Sequence, residues 1–198
     1  QAKPEFTVIE GSLNSNNVLG LSALLNSLNI NTKLVLPKSH SPNKGNALWT
    51  KATNQEINFI ETSHTYGNPK AYYEEYFGSN NVFIIKEGAA QFESIPGLLT
   101  LAAEIAAFCD SENKKFNQIF IDSGTGITAI GLIIGLKLIG LEIPICITQI
   151  AGTENEFREL FKSITNHFNN TFLTNLSTEL KGVDFVKPVT SKSFGSIN

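Results

Sequence analysis

The sequence has no basic run. Its 15 lysines and arginines stand against 18 aspartates and glutamates, for a formal charge of -3. A nucleic-acid binder needs cations gathered on one face, so none is expected. Cysteine is scarce. Cys109 and Cys146 are the two in the chain, and both lie in apolar surroundings. They are expected to be reduced core residues of a cytoplasmic protein, not a disulfide. The three histidines (His40, His64 and His167) are scattered without partners at metal spacing, so no metal site is expected. Long hydrophobic runs are missing too. The longest, Ile127 to Leu141, is broken by Lys137 and punctuated by glycine. It suits a buried helix and is too short for a bilayer. No secretory leader is visible at Gln1-Ala2-Lys3-Pro4, which passes almost at once into a strand.

What is present is enough apolar residue for a core. With 198 residues, 41% hydrophobic and 17% charged, the chain fills one domain or two small ones. Short apolar strands are expected at 6–9, 33–36, 56–60, 82–85, 117–122, 143–150 and 183–186. Helical spacing is expected between them, at 15–28, 47–52, 68–77, 95–108, from 127 onward, and at 154–168. Strands separated by helices imply an α/β fold with a mainly parallel sheet covered on both faces. Ligands of such sheets collect at the carboxyl ends of the strands.

One strand end stands out. The strand at Asn117 to Asp122 runs through Ser123-Gly124-Thr125-Gly126-Ile127-Thr128 into an apolar helix. Two glycines let the backbone curl close to an anion, and the first free N–H groups of the helix point at it. Ser123, Thr125 and Thr128 add hydroxyls. No lysine sits in the turn, so it is not a Walker A loop. A Gly-rich turn with no ligand is the bland alternative. A nicotinamide site fits poorly, although Gly124 to Ala129 satisfies G-x-G-x-x-A. The following strand ends Thr148-Gln149-Ile150 with no acid for the ribose, and the motif comes after four strands.

A second loop, Glu10-Gly11-Ser12-Leu13-Asn14-Ser15-Asn16-Asn17, gathers three amides and two hydroxyls at a helix start. An N-cap by Ser15 or Asn14 needs one of them. The rest would suit a carboxylate or a phenolate oxygen. A third loop, Lys86 to Ser94, either borders a ligand or is a helix entry with Ser94 as cap and Pro96 in the first turn.

From about Phe6 to Phe194 the chain resembles the 1-aminocyclopropane-1-carboxylate (ACC) deaminase and D-cysteine desulfhydrase group. These are pyridoxal-phosphate enzymes of the tryptophan-synthase-β-like fold, fold type II. Leu13-Asn14-Ser15-Asn16-Asn17 resembles the family's I-Q-S-N-[HQ], and Val82 to Ser94 resembles its strand into P-E-G-G-S-N. Ser123 to Thr128 with Gly131-Leu132 resembles S-G-[ST]-x-G-T-x-A-G-L. The resemblance implies that Ser123, Gly124, Thr125, Gly126 and Thr128 bind the phosphate of pyridoxal 5'-phosphate. It implies that Asn16 hydrogen-bonds the pyridoxal 3-oxygen, and that Ser15, with Asn14 and Asn17, receives the substrate carboxylate. Ser15 is the candidate catalytic residue.

The resemblance further implies a lyase or deaminase acting on a small amino acid, of the ACC or D-cysteine type, and a homodimer. A small domain at about 6–90 would close over the cofactor, and a larger one at 91–198 would carry the phosphate turn. The Schiff-base lysine, in the family's G-N-K-x-R-K, would fall before Gln1, and Lys3 is too close to the loop to replace it. The family's C-terminal G-x-[LV]-x-D-P-x-Y-[ST] region is also absent. Asn14 stands for Gln, Ala89 and Ala90 for Gly-Ser, and Ile127 for Gly or Ser. Two readings follow: the central part of a complete enzyme, or a shortened, catalytically inactive relative that binds cofactor or phosphate as an interaction subunit.

Overall fold

The computed structural model describes residues 4–38, 44–53, 56–60, 69–78 and 81–188. The chain divides into two compact units, Gln1–Ala89 and Ala90–Asn198. Each has its own parallel sheet.

The first unit holds β1 (Phe6–Glu10), α1 (Asn16–Ser27), β2 (Thr32–Pro37), α2 (Asn46–Thr53), β3 (Ile57–Ile60), α3 (Pro69–Phe77) and β4 (Val82–Ile85). The strand order is β3-β2-β1-β4, with Ile9 of β1 opposite Leu34 and Ile85. Side chains alternate between sheet faces, so β1 and β2 feed two cores. Ile9, Leu34 and Leu36 pack with Leu13, Val18 and Ala47 on one side. Phe6, Val8 and Val35 pack with Tyr73 and Val82 on the other. Coverage on both faces is why these strands read as continuous apolar runs.

The second unit holds α4 (Ile95–Glu112), β5 (Ile119–Ser123), α5 (Ile127–Ile139), β6 (Ile145–Gln149), α6 (Glu154–Phe172) and β7 (Val183–Val186), with sheet order β5-β6-β7. Helix α5 is its centre: Ile127 and Ala129 through Leu136 are all buried. Close crossing with α4 depends on glycine. A Cβ on Gly131 would lie 2.4 Å from Leu98 Cβ, and one on Gly135 2.6 Å from Ala102 Cβ.

Three expectations change here. Among the described residues, the helical core of the second unit covers one face of its sheet, and the other face is open at the edges although Cys146 on it is buried. Ile119, Ile121, Val183 and Phe185 pack on the helical core, while Phe120 and Val186 are 72% and 43% exposed. Apolar strand composition cannot by itself tell one covered face from two. Strand β6 starts at Ile145 and not at 143, because Pro144 has no N–H to give the ladder, and its carbonyl instead accepts from Ile119 N at 2.8 Å. Helices α4 and α6 each run a turn longer than their apolar periodicity. They stop where Asn113 and Leu173 take left-handed φ values of 50° and 53°.

By length and composition alone, Phe92–Glu112 is apolar enough to cross a membrane. The longest apolar run in the sequence points instead to α5. Within the unit, Ile95, Leu98, Leu99 and Ala102 of the longer stretch pack on the core that α5 forms.

Candidate functional site

The turn between β5 and α5 is an open cup. Ser123 is 4% exposed, and its carbonyl accepts from Ile150 N at 2.9 Å and Ala151 N at 3.3 Å, pinning the end of β5 to the loop after β6. Gly124, Thr125 and Thr128 are exposed. Gly126 is the N-cap position of α5 at φ 88°, and a Cβ there would lie 2.8 Å from the Phe157 ring and 3.5 Å from Ser123 Oγ. A side chain is excluded from that side of the turn, and a Cβ on Gly124 would meet open space.

No side chain caps α5. The first bond of the helix runs from Ile130 N to Gly126 O at 3.0 Å, so the three N–H groups before it have no acceptor within the helix. Helix α6 differs: Thr153 Oγ1 accepts from Glu156 N while Glu156 Oε2 accepts from Thr153 N, a complete capping box. Free N–H groups, the helix dipole and two exposed threonine hydroxyls together suit an anion. The turn thus has the donor set and the clearance that the phosphate of pyridoxal 5'-phosphate requires.

Side-chain bonds help to order the amide-rich loop of the first unit, beside a main-chain bond from Ser15 N to the Ser12 carbonyl at 3.0 Å. Ser15 Oγ accepts from Val18 N at 3.3 Å, so Ser15 is the N-cap of α1, as the bland reading expects. Its hydroxyl proton remains available to donate. Asn46, the first residue of α2, donates from Nδ2 to the Asn14 carbonyl at 3.1 Å and to Asn16 Oδ1 at 2.5 Å. The Asn17 side-chain oxygen is buried without a hydrogen-bond partner among the described residues. One turn therefore holds Asn14, Ser15, Asn16 and Asn17. Asn46 braces it, although the apolar spacing starts that helix only at Ala47. Its one signal in the sequence is a Gly-Asn pair at a helix start.

At the end of β1, Glu10 Oε1 accepts from the Tyr73 hydroxyl at 2.6 Å. Burial, then the hydrogen bond and charge of Glu10, push the Tyr73 phenol well above its usual range, so it stays protonated. The third loop forms a short 3-10 turn, Glu87–Ala89, with Gly88 at φ 62° and Ala89 at φ 53°. Ser94 occupies the N-cap position of α4 but makes no side-chain cap bond, and Pro96 sits in the first turn. The turn Phe92–Ser94 leads straight into that helix, leaving no extended backbone for the cap to close. Cys109 is half-buried and Cys146 buried, and both are free thiols. Of the histidines, His40 and His64 lie outside the described residues, as do 189–198.

No family model matches the chain. Over 91 residues it is 31% identical to a protein of Oryza sativa subsp. japonica that bears the name of a mitochondrial D-cysteine desulfhydrase, a match over 46% of this chain and 22% of the rice protein. A solved ACC deaminase homologue superposes with a TM-score of 0.78 at 19% identity, over 98% of this chain and 58% of its own. A threonine deaminase from T.th. gives a TM-score of 0.55 at 16% identity, over 75% of this chain and 46% of its own. A hydrogen sulfide-producing enzyme of Fusobacterium nucleatum gives 0.52 at 16% identity, over 74% and 43%. The chain thus spans less than two thirds of the length of each of these relatives. Its fold is the tryptophan-synthase-β-like fold of the type II pyridoxal-phosphate enzymes, and its similarity within them is to the ACC deaminase and D-cysteine desulfhydrase group.

Proposed function

We propose that this chain is the cofactor-holding part of a pyridoxal-phosphate-dependent lyase that acts on a small amino acid of the ACC or D-cysteine type. The observation that carries the reading is the uncapped start of α5 behind an exposed Gly124-Thr125 turn at the carboxyl end of β5. Backbone N–H groups from Gly124 to the first turn of α5 and the hydroxyls of Thr125 and Thr128 take the phosphate. Ser123 and Gly126 shape the turn. Asn16 takes the 3-oxygen of the ring. Ser15 donates its hydroxyl proton to the substrate carboxylate, with Asn14 and Asn17 beside it. When bound, the cofactor supplies an electron sink for chemistry at the substrate α-carbon.

The Schiff-base lysine has no counterpart at its matching place among these residues, so the covalent step is assigned to no residue here. A relative that binds the cofactor without turnover is the second reading. Both predict binding, which is the first test. Equilibrium titration is expected to show pyridoxal 5'-phosphate binding at least about tenfold more tightly than pyridoxal. Equal affinities would remove the phosphate role of the turn. Borohydride reduction of the full-length protein with cofactor, followed by peptide mapping, then separates enzyme from relative by whether a lysine is labelled.

A further inference from the structure

We propose that Asn46 is a positioning residue: it fixes the direction of the Asn16 side-chain amide, so that Asn16 offers its ligand an N–H donor and not a carbonyl acceptor. The inference rests on the reading that Asn16 meets the ring 3-oxygen, and adds what sets that contact.

The direction follows from a single anchor. Asn46 Nδ2 lies 3.1 Å from the main-chain carbonyl of Asn14. A carbonyl oxygen only accepts, so the Asn46 atom facing it has to be the amino nitrogen. The second N–H on that nitrogen points at the Asn16 side chain, 2.5 Å away. It requires an acceptor there, and Asn16 has one, Oδ1. Turning the Asn16 amide over would set two amino groups against each other. The main chain of residue 14 thus dictates, through Asn46, which end of Asn16 is left over. That end is Nδ2, with two N–H donors, on an exposed residue at the first position of α1.

The consequence is selectivity for a ligand atom. An oxygen that accepts, above all a phenolate, is matched by Nδ2. A ligand without that oxygen loses the contact. Nothing in the α1 cap would do this, because Ser15 already closes the cap through Val18 N. Asn46 joins two segments far apart in sequence, and its own helix is short, so its bonds to Asn14 and Asn16 set the ligand-facing chemistry more than the helix.

The test is a cycle of protein variants against one ligand atom. Dissociation constants for pyridoxal 5'-phosphate and for its 3-deoxy analogue are measured for the unaltered protein, Asn46→Ala, Asn16→Ala and the Asn16→Ala/Asn46→Ala double variant. The unaltered protein is expected to prefer the 3-oxygen by about tenfold. Asn46→Ala frees the amide to turn, and the preference falls to about twofold; Asn16→Ala abolishes it. The double variant loses no more than Asn16→Ala alone, because both act through one contact. Affinity for the 3-deoxy analogue stays within about twofold throughout, which a collapsed loop or misfolded variant would not allow.

A full tenfold preference in Asn46→Ala would overturn the inference. So would an equal loss for both ligands, which would make Asn46 a structural brace. An unaltered protein that binds both ligands equally would overturn the role of Asn16 and this inference with it. One that binds neither would overturn the cofactor reading itself.

Discussion

The Tyr73 hydroxyl donates to Glu10 Oε1 at 2.6 Å, tying α3 to the end of β1 where the amide-rich loop begins. Tyr73 is 1% exposed. Tyr73→Phe leaves the ring packing intact and strips the carboxylate of its donor, and should lower stability by about 1 to 2 kcal/mol. The pH dependence has a definite sign. The phenol is raised in the folded state by burial and by Glu10. Above about pH 10 the unfolded chain releases the proton and the folded chain keeps it, so stability falls as pH rises there. Urea unfolding at a series of pH values should show that fall in the native protein and a shallower one in Tyr73→Phe.

Gly126 and Gly124 should respond to alanine in opposite ways. At Gly126 the left-handed φ of 88° and the 2.8 Å approach to Phe157 both resist a Cβ. Gly126→Ala is expected to cost about 1 to 3 kcal/mol. Gly124 has nothing within 4 Å, and Gly124→Ala should change stability by less than about 0.5 kcal/mol. Denaturant midpoints of the two variants check the contrast.

Thr128 is exposed on the first turn of α5. Thr128→Val keeps its shape and removes its hydroxyl. Titration should show pyridoxal 5'-phosphate weakened by roughly threefold to tenfold, with the affinity for pyridoxal and the unfolding midpoint unchanged.

Ala89 takes φ 53°, a conformation that favours glycine. The family motif that Val82 to Ser94 resembles has glycine at this place. Ala89→Gly should relieve the left-handed strain and raise stability by about 0.5 to 1 kcal/mol after the entropy cost of glycine. A higher midpoint in thermal or urea unfolding is the outcome to look for.

The strand-helix alternation was legible because β1 and β2 are buried on both faces, which makes them apolar runs, and because polar turns separate them from the helices. Strand β4 and strand β7 fall where the apolar runs place them, at Val82–Ile85 and Val183–Val186. What the run of apolar residues could not carry was coverage: Phe120 is as apolar as Phe6, yet one is exposed and the other is core. Burial depends on which elements come to lie on a face, and that is a property of the tertiary fold. Helix ends were hidden for a related reason. The left-handed residues that stop α4 and α6 are Asn113 and Leu173, not glycine.

The candidate turn at 123–128 in one unit and the candidate loop at 14–17 in the other were each visible as a cluster of Gly, Ser, Thr and Asn. Asn46 was not, since a lone asparagine carries no pattern. Its partners Asn14 and Asn16 lie 32 and 30 positions away, and the contact exists only because α2 packs beside the start of α1.

The most direct measurement is amide hydrogen exchange across the chain with and without pyridoxal 5'-phosphate. The account predicts slowed exchange at residues 124–129, whose N–H groups lack acceptors within α5, and no such slowing there with pyridoxal. Cofactor binding that leaves the exchange of 124–129 unchanged would contradict it.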